Sequence, residues 1–159
     1  MFIKPELIWA SDKLKHKDIL ALIFNKIDEF GLGIKQVKVL SAQYLAEHNI
    51  IAQHYGVINL ISNSAVSEMT QEAKKKFWET YNLDIENAQV LGSLEFLKRY
   101  PMFSATSLDY LWQNSGYEKL AGGTYCAKLN IDGDYVYLVN GFHPRQLEHF
   151  TLEGEPLLP

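Results

Sequence analysis

Residues 124–139 read TYCAKLNIDGDYVYLV. Tyr125, Ala127, Leu129 and Ile131 alternate with Thr124, Cys126, Lys128 and Asn130, the period of two that puts one set of side chains on each face of a strand. Asp132-Gly133 follows as a two-residue hairpin turn, and Tyr135 to Val139 returns as the partner strand. Asn140-Gly141 breaks that strand, and Pro144, whose fixed φ suits a first helical position, starts a final turn through Leu147 and Phe150. His143 is therefore expected at a strand-to-helix junction, where side chains are presented at the end of a sheet.

Working back from the hairpin, Ser107 is a candidate cap for a short helix carrying Leu108, Leu111 and Trp112. Residues 85–97 are apolar but fit neither period, and a strand is expected around Val90 to Phe96. Between Ala65 and Tyr81, Val66, Met69, Ala73, Phe77 and Tyr81 recur on one helical face, with Lys74 to Lys76 on the solvent side. Ser41 caps a helix that carries Leu45, His48, Ala52 and Tyr55 and ends at Gly56. Ile34 to Leu40 places Val37 and Val39 opposite Lys38, as in a half-buried strand. From Asp18, the residues Ile19, Leu20, Ile23, Phe24, Ile27 and Phe30 form an apolar helical stripe that Gly31 and Gly33 stop. Met1 to Ile3 reads as the end of a strand closed by Pro5, which lacks an amide donor. The order suits an α+β fold, a ferredoxin-like antiparallel sheet with helices packed on one face.

Composition sets the bounds. A chain of 159 residues with 47% hydrophobic and 21% charged residues is expected to fold as a single domain, 1–159, around its own core. A net charge of −4 opposes broad capture of polymeric nucleic acid, which requires a clustered excess of Lys and Arg. One cysteine, Cys126, permits no internal disulfide and fits a reducing compartment. The opening MFIKPELIW lacks the pattern of a signal peptide, and no apolar run suits a bilayer, so a cytoplasmic address without membrane contact is expected.

Two residues stand out for chemistry. Lys4, in Ile3-Lys4-Pro5-Glu6, is either a cation fixed by a rigid neighbour for phosphate or a solvated surface lysine. His143 is either a nucleophile, with a neutral imidazole available near pH 7, or a hydrogen-bonded structural residue.

Taken together, these stretches resemble the nucleoside diphosphate kinases. That family begins with a strand ending in Ile-Lys-Pro-Asp, then an amphipathic helix, a second strand and a helix rich in Leu, Ala, Glu and His. The chain runs IKPE, DILALIFNKIDEFGLGIKQVKVL and SAQYLAEHNIIAQHY, similar in order and length over residues 2–55. The family's catalytic histidine lies in an Asn-x-x-His motif, which Asn140 and His143 resemble, and a Gly-Thr pair precedes it, as Gly123-Thr124 does here. The resemblance implies a ping-pong transfer of γ-phosphate between nucleotides through a phosphohistidine at His143. It implies Lys4, Asn140 and Thr124 as nucleotide- or phosphate-binding residues, Mg²⁺ with ATP or another nucleoside triphosphate as cofactor, and Tyr55 or Phe77 stacking on the base. Nucleotides are the implied partners, in an assembly of several subunits.

The chain also departs from the family pattern. Pro144-Arg145-Gln146 stands where Gly-Ser-Asp follows the histidine, and Cys126 stands where an arginine follows the Gly-Thr pair. Lys128 and Arg145 are candidate replacements for that arginine, and Glu148 is a candidate to orient the histidine. These departures leave three readings: an active phosphotransferase, a catalytically altered nucleotide- or phosphate-binding protein of the same fold, and a non-catalytic interaction module.

Overall fold

A computed structural model of the chain describes residue 3 and residues 13–151. Apart from Ile3, the expected N-terminal strand lies outside these residues, as do Lys4 and Pro5.

Helix α1, Lys13–Glu29, covers the expected apolar stripe from Ile19 to Ile27, but it begins five residues before Asp18 and Phe30 follows its last residue. The segment that follows is irregular from Gly33 to Ser41, which corrects the strand expected over Ile34–Leu40. Val37 and Val39 are 71% and 91% exposed, so among the described residues the alternating pattern finds no neighbouring strand to pair with and no surface to bury against. Ser41 does cap a helix, its hydroxyl accepting from Tyr44 N at 3.1 Å. That helix is broken in two, α2 (Ala42–Glu47) and α3 (Ile50–His54), by Asn49 at φ 51°.

Helix α4 spans Gly56–Asn63, so Gly56 begins a helix where the sequence predicts a stop. The helix expected over Ala65–Tyr81 is split into α5 (Ala65–Glu68) and α6 (Gln71–Tyr81). Thr70 sits between them and accepts from Ala73 N at 3.2 Å, starting α6 afresh. The inward set is as the periodicity predicts: Met69, Ala73 and Phe77 are buried, with Val66 and Tyr81 packed against them.

A 3₁₀ turn at Ile85–Asn87 leads into strand β1, Val90–Gly92. The strand expected through Phe96 ends there because Ser93–Arg99 forms helix α7. Helix α8, Ala105–Asn114, is capped by Ser104 rather than Ser107. Ser107 is the third residue inside α8, and its hydroxyl accepts from Ser104 N at 2.8 Å. Strands β2 (Glu118–Ala121), β3 (Thr124–Ile131) and β4 (Asp134–Val139) form an antiparallel meander. The β3–β4 turn is the expected one, with Asp132 at φ 53° and Gly133 at φ 96°. Helix α9, His143–Thr151, closes the described chain.

The fold is α+β, and the described residues form a four-stranded sheet in the order β1-β4-β3-β2. Strand β1 runs parallel to β4, so the sheet is mixed and not wholly antiparallel. Helices cover both faces, a second correction. Met69, Ala73 and Phe77 pack with Cys126, Tyr137 and Val139 on one side. Phe96, Leu108 and Trp112 pack with Ala127, Leu129, Val136 and Leu138 on the other. The physical reason lies in β4, whose Val136-Tyr137-Leu138-Val139 is buried on both faces and so needs a layer on each. No helix among the described residues is long and apolar enough to cross a membrane.

Candidate functional site

The end of β4 brings together three of the residues singled out from sequence. Asn140 follows the strand in a left-handed conformation, φ 54°, which asparagine tolerates better than most residues. Its side chain is fully buried and both ends of the amide are engaged. Oδ1 accepts from Tyr125 N at 3.1 Å, and Nδ2 donates to Gly123 O at 3.0 Å. The backbone adds Asn140 N donating to Tyr125 O at 3.0 Å. Asn140 therefore clamps the exit of β4 to the entrance of β3, gripping the chain on either side of Thr124.

Thr124 is 1% exposed, and its hydroxyl has no hydrogen-bond partner among the described residues. Gly141 comes next in the chain, where a Cβ would lie 2.5 Å from the Trp112 ring, so no larger residue fits without displacing a buried indole.

His143 N donates to Asn140 O at 3.0 Å, which fixes the turn into α9. The imidazole is fully buried. Nδ1 lies 3.2 Å from Gln146 Oε1, and Nε2 lies 3.2 Å from Asn59 Oδ1. Burial holds its pKa below the usual histidine range, and the Gln146 bond opposes that shift in part. The ring is therefore neutral near pH 7. A neutral imidazole has one donor and one acceptor, so one of the two amides turns its NH₂ toward the ring. In this arrangement neither nitrogen faces solvent.

The remaining residues do not converge on this point. Lys128 lies about 10 Å further along β3 from Tyr125, with Nζ 3.8 Å above the Tyr135 ring. Arg145 pairs with Glu148 at 3.3 Å, so Glu148 meets the guanidinium and Gln146 takes the place foreseen for an acid beside His143. Tyr55 is half-buried at the end of α3, edge-on to His54 at 4.8 Å. Phe77 is fully buried in the core between Tyr81 and Tyr137. Cys126 is buried too, its thiol pKa pushed up to about 12 chiefly by burial, while Tyr81 OH donates to its carbonyl at 3.0 Å.

The described residues do not fit a Mg²⁺–nucleotide cradle. Asn140 and His143 already bond within the protein, Lys128 and Arg145 have partners of their own, and no group of three or more His, Cys, Asp or Glu is gathered among the described residues. An open depression of about 350 Å³ lies elsewhere, lined by Gln71, Lys74, Trp78, Asp84, Ile85 and Glu86.

Glu95 escaped the sequence reading. Its Oε2 accepts from Gly92 N at 2.7 Å and from Ala65 N at 2.9 Å, joining the starts of α7 and α5. The available signal was a glutamate three residues after Gly92, the spacing of a helix N-terminal cap.

Compared with protein-family models, with curated proteins and with solved structures, the chain matches none.

Proposed function

We propose that the chain is a non-catalytic interaction module whose contact surface is α1 with residues 30–40. The observation that carries this is apolar exposure. Nine large hydrophobic side chains between Ile19 and Leu40 are 40% to 91% exposed, among them Leu22, Phe30, Leu32, Val37 and Val39. No other described helix or strand packs extensively on α1. The largest apolar patch on a typical monomer is roughly 300–600 Å² and is often a binding site. The C-terminal half supports the same conclusion, since His143, Asn140 and Thr124 are buried parts of the scaffold.

The finer fold and activity, a ferredoxin-like nucleoside diphosphate kinase transferring phosphate through His143, rest on the sequence resemblance and form the competing proposal. Incubation with γ-labelled ATP and Mg²⁺, followed by acid and base quench, separates the two. The interaction module forms no adduct and gains no thermal stability from Mg²⁺–ATP, whereas a binder gains RT ln(1 + [L]/Kd). An acid-labile, base-stable label that disappears in His143→Ala would overturn the proposal.

A further inference from the structure

Helix α1 carries a charge pattern with a centre of symmetry. Lys15, Asp18, Ile19, Leu22, Lys26 and Glu29 recur at three- and four-residue spacing, and all are exposed. Behind them, His16, Leu20, Ile23 and Ile27 are half-buried. Counting outward from Leu22, Asp18 and Lys26 stand four residues away on either side, and Lys15 and Glu29 stand seven away. Each equidistant pair has opposite signs.

A second copy of the helix laid antiparallel, with the twofold axis at Leu22, sets Asp18 against Lys26 and Lys15 against Glu29, each pair twice. A parallel copy would set every charge against its like. The arrangement also answers a conflict within one chain. No acid lies in the first turn of α1, and Asp28 and Glu29 lie at its end, opposite to the placement that the helix macrodipole favours. Two antiparallel helices bring each acidic end beside the basic start of the other. Lys26 already holds Glu29 at 2.6 Å on the exposed face, so the pairing would extend that contact into a network.

We propose that the partner of this surface is a second copy of the chain, joined through an antiparallel α1 pair centred on Leu22. This rests on the interaction-module reading and names its partner. Self-complementarity is what a twofold, isologous interface requires. A lipid surface fits less well, because Ile19 to Phe24 is six apolar residues in a row. Such a run wraps apolar groups around the whole helix, whereas an interfacial membrane helix keeps one strongly polar face.

Sedimentation equilibrium of the full chain, up to about 100 μM, tests this. The expected result is a dimer. Leu22→Glu, which sets two carboxylates together on the axis, gives a monomer. Lys15→Glu sets like charges together and raises the dissociation constant at least about tenfold, and Lys15→Glu with Glu29→Lys restores it. Circular dichroism of each variant is expected to match the parent, because Lys15, Leu22 and Glu29 are exposed. A chain still monomeric at that concentration overturns the proposal, as does a dimer indifferent to Leu22→Glu or a double exchange as weak as the single one. A monomer that binds phosphatidylserine vesicles or a different protein also overturns the second copy while leaving an interaction module. A phosphohistidine adduct would instead count against the module itself, whatever the oligomeric state.

Discussion

His143 Nε2 lies 3.2 Å from Asn59 Oδ1, a bond between residues 84 positions apart that ties α9 to α4. Together with the Gln146 contact it fills both sides of the ring. The expected consequence is that His143→Ala destabilises the fold. It leaves a cavity and strips a partner from two half-buried amides, those of Asn59 and Gln146, and those effects together cost about 2–4 kcal/mol. Urea unfolding followed by far-UV circular dichroism checks this. A loss below about 0.5 kcal/mol, the usual range of surface changes, would show that the imidazole is not a structural tie.

The same burial predicts a pH dependence. Folded His143 has a lowered pKa, whereas in the unfolded chain it titrates near about 6.5. Above that pH the ring is neutral in both states and its bonds count in full. As pH falls through about 6.5, the unfolded chain takes up the proton first. Stability then declines by at most about 1.4 kcal/mol per unit for this group until the folded pKa is passed. The useful quantity is a difference between the parent and a variant that lacks the imidazole. The stability gap between the parent and His143→Asn is expected to narrow from pH 8 to pH 5, and a constant gap would contradict the assignment.

Elements whose stabilisation is local were legible in the sequence. The Thr124–Val139 hairpin needs only alternation and an Asp-Gly turn, and α9 needs only a proline near its start. The Ser41 cap accepts from a residue three positions on. What failed depends on distant partners. Val37 and Val39 alternate as well as any strand, but among the described residues no strand lies alongside to take their backbone groups. Strand β2, Glu118-Lys119-Leu120-Ala121, is too short to show a period and exists because β3 pairs with it. Helix α7 was hidden in an apolar run and is marked by Glu95, whose second partner, Ala65, is 30 residues away. The candidate site divides the same way. The junction at His143 could be read from residues 140–144, and Gln146 is local, but Tyr125 in β3, Gly123 just before it and Asn59 in α4 are distant in sequence.

Thr124 separates a phosphate-binding role from a structural one. Its hydroxyl is buried without a partner among the described residues, and such a group carries a desolvation cost of roughly 1–3 kcal/mol. Valine has nearly the same shape and no hydroxyl. Thr124→Val is therefore expected to leave stability unchanged or raise it by about 1 kcal/mol, as measured by denaturant midpoint. A clear loss would mean that the hydroxyl does have a partner in solution.

Glu95 is where one side chain decides two helix starts. The amides of Gly92 and Ala65 belong to buried residues, and no intrahelical carbonyl is available to either at a helix start. Glu95→Ala leaves both without their acceptor, and a charge-assisted bond of this kind contributes about 1.5–3 kcal/mol. A loss of about 2–4 kcal/mol is expected, a little below two full bonds because water can reach a half-exposed site. Glu95→Gln keeps an oxygen in place but gives up the charge, so it is expected to lose about half as much. The ordering parent, Gln, Ala should appear in urea midpoints with an unchanged slope. If Gln and Ala were equally destabilised, the negative charge at the two helix starts, and not the accepting oxygen, would be what holds α5 and α7 together.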